Sequence, residues 1–163
     1  MFRDVDEVIA ELLKRDMPIK KNEIDLDFHQ PVREWSGRLS RPTLNIFLYG
    51  IEENVRLRHS EVWYTEKRDD GTAVMRRSPA RVDLHYLITA WANDPQDEHT
   101  LLARALMVLM QSPCFPEELL PPSLSDQKNP IPLQVAQSVG PAHLGEHSRI
   151  WNALDNEARP AIS

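Results

Sequence analysis

Apolar residues at Val5, Val8, Ile9, Leu12 and Leu13 recur at i, i+3, i+4, i+7 and i+8. That spacing lines one face of an α-helix and predicts a helix at the start of the chain. Asp4, Asp6 and Glu7 stand near its positive end and Lys14 and Arg15 near its negative end, and Pro18 stops it. The period then shortens. In Ile24–Phe28 the apolar Ile24, Leu26 and Phe28 alternate with Asp25 and Asp27, the pattern of a half-buried strand. A loop rich in Arg, Ser and Pro, Pro31–Pro42, leads into Thr43–Ile51. There Leu44, Ile46 and Leu48 share one face and Phe47, Tyr49 and Ile51 the other, so the strand belongs in the middle of a sheet. Gly50 marks a bulge or bend in it.

Glu61–Ser78 reads as a hairpin, because EVWYTEKR and TAVMRRS flank Asp69–Asp70–Gly71 and Asp-Gly favours a tight turn. Ser78–Pro113 carries the strongest pattern of the chain. Val82, Leu84, Tyr86, Ile88 and Ala90 form one face of a strand, while the opposite face passes from Asp83 and His85 to Leu87 and Trp91. Asp94 as N-cap and Pro95 at the first helical position then start a helix running to about Gln111. Leu101–Met110 is apolar nearly all round, so the helix is expected to be buried within the subunit, covered on more than one side. The methionines Met107 and Met110 fit a core at this spacing better than a binding groove.

Residues 112–132 form a long connection containing Pro113, Pro116, Pro121, Pro122, Pro130 and Pro132. Connections of this length are usually functional or mobile. Ile131–Val139 is a candidate strand. An amphipathic helix is expected from about Ala142 to Asp155, with Leu144, Ile150, Trp151 and Leu154 towards the core, and a new extended segment begins at Arg159–Ser163. The expected fold is α+β: a mixed or antiparallel sheet of about five or six strands with helices packed on one face, in one domain spanning 1–163.

Composition narrows the function. A hydrophobic share of 41% suits a globular core, and no apolar run approaches the roughly 20 residues of a membrane span. The first residues lack the apolar core and cleavage site of a signal peptide, and a single cysteine, Cys114, fits a reducing cytoplasm. A net charge of −6 argues against nucleic acid. The clusters Arg33/Arg38/Arg41 and Arg76/Arg77/Arg81 read as solvated surface offset by nearby acids.

Candidate chemistry is sparse. His143 and His147 have the i, i+4 spacing of a two-histidine metal face, but HLGEH lacks a glutamate directly after the first histidine and a third ligand. Gly140–Gly145 lacks the Lys and Ser/Thr of a phosphate loop. Asp25 and Asp27 share a strand face and read as solvent-facing groups rather than paired catalytic carboxylates. Cys114, beyond a helix C-terminus, is a poor thiolate for a partnership with His99 or His85. No cofactor or enzymatic activity is expected. The surface residues that fit an interface are Trp63, Tyr64, Lys67, Arg68, Arg76 and Arg77 on the hairpin, together with Pro121 and Pro122 in the long connection. One of the two hairpin aromatics is expected to face the sheet.

Four pieces occur in order: RPTLNIFLYGIEEN from Arg41, RVDLHYLITAWANDPQDEHTLLARALMVLMQSP from Arg81, IPLQVAQ from Ile131 and RIWNALDNEARPAIS from Arg149. Their most specific elements are the strand ending in Tyr86–Trp91, the segment with Asp97, Glu98, His99, Leu101, Leu102 and Arg104, and Ile150–Leu154 followed by Arg159–Pro160. Together they resemble the N-terminal domain of the cap, or tail-terminator, proteins of phage-tail-like extracellular contractile injection systems, formerly a domain of unknown function. The resemblance implies a non-enzymatic ring of six copies on the inner tube. Its partners would be itself, the tube protein and the last sheath layer, with no nucleic acid and no membrane. It would be made in the bacterial cytoplasm and then carried on a released particle. The family domain carries a further strand after the Arg-Pro segment, a closing strand that the residues up to Ser163 do not include. Two rival readings are a baseplate or adaptor component of the same particle and a metal-dependent hydrolase using His143 and His147.

Overall fold

The computed structural model describes residues 1–18, 23–57, 63–78, 80–127, 129–137 and 149–163. The amphipathic start forms α1 (Phe2–Asp16), which buries Val5, Val8, Ile9, Leu12 and Leu13 and ends at an extended Met17. The alternating segment forms β1 (Asp25–Asp27), and the doubly apolar segment forms β2 (Thr43–Glu53). These two strands pair in parallel, Leu26 opposite Leu44. Parallel neighbours need a crossover rather than a tight turn. Residues 28–42 supply it and hold a short helix, α2 (Arg33–Ser36), with Trp35 buried. The expected plain loop therefore contains a helical turn that pins one indole.

The hairpin forms as read, β3 (Trp63–Lys67) pairing antiparallel with β4 (Ala73–Arg77). Its turn needs Gly71 at φ +82°, which a glycine adopts without strain. β5 (Val82–Trp91) and α3 (Pro95–Gln111) follow, and the Asp94 side chain accepts the Gln96 amide at 2.8 Å as the N-cap. Next come a 3-10 turn at Glu117–Leu119 and α4 (Pro122–Ser125). Residues 149–153 are helical, with Trp151 and Leu154 buried as expected, while residues 142–148 of that expected helix lie outside the described residues. β6 (Ala161–Ile162) pairs antiparallel with β5, Ile88 opposite Ile162.

The architecture is α+β, with a mixed four-stranded sheet of order β1-β2-β5-β6 and a separate two-stranded sheet β3-β4. The chain divides into two compact units, Met1–Phe47 with Tyr86–Ser163, and Leu48–His85. The first holds the core: Leu12 and Leu13 of α1, Leu44 and Ile46 of β2, Leu87 of β5 and Ala105 of α3 are fully buried. Within it α1 packs on α3 and on the 3-10 turn, and α3 packs on β6. None of the described residues of Leu48–His85 is buried. In that unit the backbone at Gly50 runs so close to β5 that a Cβ there would stand 3.3 Å from the His85 Cβ.

Two expectations need correction. α3 is not buried all round: Leu101, Leu102, Ala105, Val108 and Leu109 are buried, but Met107 and Met110 are 62% and 64% exposed. An apolar stripe wider than the neighbouring elements can cover leaves its far side in solvent. Among its described residues, 131–137, the Ile131–Val139 segment makes no strand. A single bridge joins Pro132 to Cys114, and prolines at 130 and 132 remove the donors that a ladder requires.

Candidate interaction surfaces

The β3-β4 ribbon has two faces, set by alternation along each strand. Trp63, Thr65 and Lys67 lie opposite Arg77, Met75 and Ala73 on one, and Tyr64 and Glu66 lie opposite Arg76 and Val74 on the other. All six residues of the first face are exposed, with Trp63 at 53% and Met75 at 66%. Tyr64 on the second face is also exposed, so neither aromatic packs as the sequence suggested. A two-stranded ribbon has no third strand or layer to supply that packing. On the second face Arg76 pairs with Glu66. At the turn, Thr72 donates its hydroxyl (2.6 Å) and its amide (2.9 Å) to Asp70, and these bonds hold the Asp70 carboxyl below the usual carboxylate range. Arg68 is exposed and closes the turn through its backbone.

In the long connection, Pro121 is half-buried and caps α4, and Pro122 is its exposed first residue. Pro116 (φ −62°, ψ 133°), Leu120 (φ −76°, ψ 122°) and Pro121 (φ −69°, ψ 163°) hold extended polyproline-like backbone. Phe115 and Leu124 anchor the segment in the core, while Glu117, Glu118 and Asp126 are exposed. The segment is tied to α1 by the Arg15–Glu118 ion pair (2.9 Å) and a hydrogen bond from Ser123 to Asp4. These two ties span more than a hundred residues and left no local signal in the sequence.

An aromatic and ionic cluster joins the ends of β1 and β5 to the C-terminal segment. Arg159 lies 3.8 Å over the Trp91 ring and pairs with Glu98 at the start of α3. Glu98 also accepts the Ala92 amide at 3.1 Å. Trp91 meets Trp35 edge to face at 5.3 Å, and the Trp35 indole donates to Asp27 at 3.2 Å. Burial opposes ionisation of Asp27, but bonds from the His29 amide (2.8 Å) and ring (2.5 Å) and from Trp35 outweigh it and hold the carboxyl low. Asp27 is thus a half-buried acceptor rather than the plain solvent-facing group expected, and Asp25 pairs with Arg41 at 3.4 Å. Burial, then the Asp6 carboxylate at 2.6 Å, pushes the Tyr86 phenol well above its ordinary value.

These groups bind one another. Arg33, Arg41 and Arg159 line a cleft of about 320 Å³ with Trp91, but Arg33 is held by Glu157 (2.8 Å), Arg41 by Asp25 and Arg159 by Glu98. Of the cluster Arg33/Arg38/Arg41, Arg33 and Arg41 are offset by acids as read. Cys114 is a half-buried free thiol and His99 is exposed. Among the described residues no three His, Cys, Asp or Glu side chains gather to hold a metal ion. His143, His147 and Gly140–Gly145 lie outside the described residues. No described helix is long and apolar enough to cross a membrane.

Residues 4–163 match the Pvc16 N-terminal domain. No curated protein matches the chain. Among solved structures, the fold is similar to the sheath/tube terminator of an extracellular contractile injection system, PVC, in its extended state (20% identity, TM-score 0.69). It is also similar to the tube-terminating cap of the anti-feeding prophage (19% identity, TM-score 0.63). Each likeness covers 99% of this chain, and the chain spans about half the length of the solved structures it matches, 53% and 51%.

Proposed function

Because the chain belongs to the Pvc16 N-terminal domain family, we propose that it ends the inner tube and sheath of a contractile injection particle as a passive cap. The observation that carries this reading is a family match from residue 4 to residue 163, joined to a fold shared with two terminators over 99% of the chain. The cap is a ring of six copies that contacts the last tube and sheath layers. It is made in the bacterial cytoplasm and leaves on the released particle, and it performs no catalysis.

The sheet supports this role physically. A polymer stops where the last layer offers no strand for another to extend. Both edges of the four-stranded sheet are short: β1 has three residues, two of them aspartates, and β6 has two. Short edge strands, charged in the case of β1, are poor templates for strand addition.

Electron microscopy of particles assembled with and without this chain tests the reading. Omission is expected to give tubes and sheaths of scattered length. Uniform, normal length without it removes the terminator role.

A further inference from the structure

We propose that, in the ring described above, the open face of the β3-β4 ribbon of one copy docks on the proline-rich segment Pro113–Asp126 of the next copy. The inference rests on the terminator reading and names the surfaces that close its ring.

The ribbon face carries Trp63, Met75, Lys67 and Arg77 and no carboxylate. An exposed Trp beside cations is the composition of an interface anchor. A two-stranded ribbon is marginal by itself in water, so an apolar face on it gains stability from a partner. Charge and backbone conformation indicate what that partner is. The ribbon, residues 63–78, holds Lys67, Arg68, Arg76 and Arg77 against Glu66, Asp69 and Asp70, whereas the whole chain is −6. Pro113–Asp126 contains Glu117, Glu118 and Asp126 and no Lys or Arg. Its prolines and leucines hold preformed polyproline-like backbone at Pro116 and Leu120–Pro121. Aromatic faces bind such backbone at low entropic cost, because it is extended before docking. Trp63 would cover the prolines while Lys67 and Arg77 meet Glu117 and Asp126. The two surfaces differ, so the contact is head-to-tail, and repetition closes a ring rather than a two-fold dimer.

The test is self-association of the purified chain, measured by mass photometry and light scattering over a concentration series. Wild type is expected to form a closed oligomer of more than two copies that weakens as salt rises. Lys67→Glu/Arg77→Glu and Glu117→Lys/Asp126→Lys are each expected to weaken association by at least about tenfold. Both reversals in one chain are expected to restore it, which also shows that each variant folds. A wild type that stays monomeric, a ribbon variant that assembles normally, or a combined reversal without recovery overturns the proposal. A ribbon variant that forms rings but no longer seats on tubes also overturns it and assigns that face to the tube, leaving the terminator role standing. Loss of length control is read separately, on particles.

Discussion

Among single residues, Glu98 and Arg159 make a pair across 61 positions of sequence. Glu98 is only 9% exposed, and Arg159 both pairs with it and lies on Trp91. Removing the cation alone would leave a buried carboxylate with one backbone donor. Arg159→Ala is therefore expected to cost about 2–3 kcal/mol, read by urea denaturation. Glu98→Gln in the same chain should recover at least about 1 kcal/mol of that loss, since an amide needs no counter-ion. Equal stability of the single and double variants would show that packing on Trp91, not charge, is what Arg159 contributes. Both residues lie in segments that carried the resemblance, yet nothing in their spacing indicated that they meet. Asn45 was equally hidden. Fully buried in β2, it donates to the His29 carbonyl at 2.8 Å and ties down the chain after β1, a role that depends on a parallel pairing no local pattern announces.

At the scale of the element, legibility followed length and period. α1, β2, β5 and the capped start of α3 were plain because each repeats its signal over two or more turns or pleats. α2 was not, since four residues give no period and its one apolar anchor, Trp35, resembles an isolated loop aromatic. The Ile131–Val139 segment had strand composition, but among its described residues the one bridge falls on Pro132, which has no donor to continue a ladder. For α3 the pattern showed how much apolar surface exists without showing how much the neighbours cover. The consequence is measurable. Leu109→Ala is expected to cost about 2–5 kcal/mol by leaving a cavity, whereas Met107→Gln should change the stability of the single chain by no more than about 0.5 kcal/mol. Comparable losses would mean that the outer side of the helix is covered after all.

At the scale of the whole molecule, burial is unevenly shared. The unit of Met1–Phe47 with Tyr86–Ser163 contains all the buried side chains among the described residues, and Leu48–His85 contains none. Local stability tracks buried apolar contact. Amides of β3 and β4 are therefore expected to exchange with solvent deuterium well before those of Leu44, Ile46 and Leu87, at a rate insensitive to core variants such as Leu109→Ala. Ribbon amides protected as strongly as the core in the isolated chain would contradict this. The residues read from sequence as interface candidates fall on this lightly held ribbon and on the proline segment, and their exposure, apart from half-buried Pro121, was legible from their isolated aromatic, charged and proline character. The exposed thioethers extend the same contrast to redox chemistry. Met75, Met107 and Met110 stand open while Met17 is shielded, so mild peroxide should convert the first three to sulfoxides and spare the fourth. On a finished particle, peptide masses would then report which of these sulfurs a neighbour has sealed from oxidant, a chemical footprint already written into the chain.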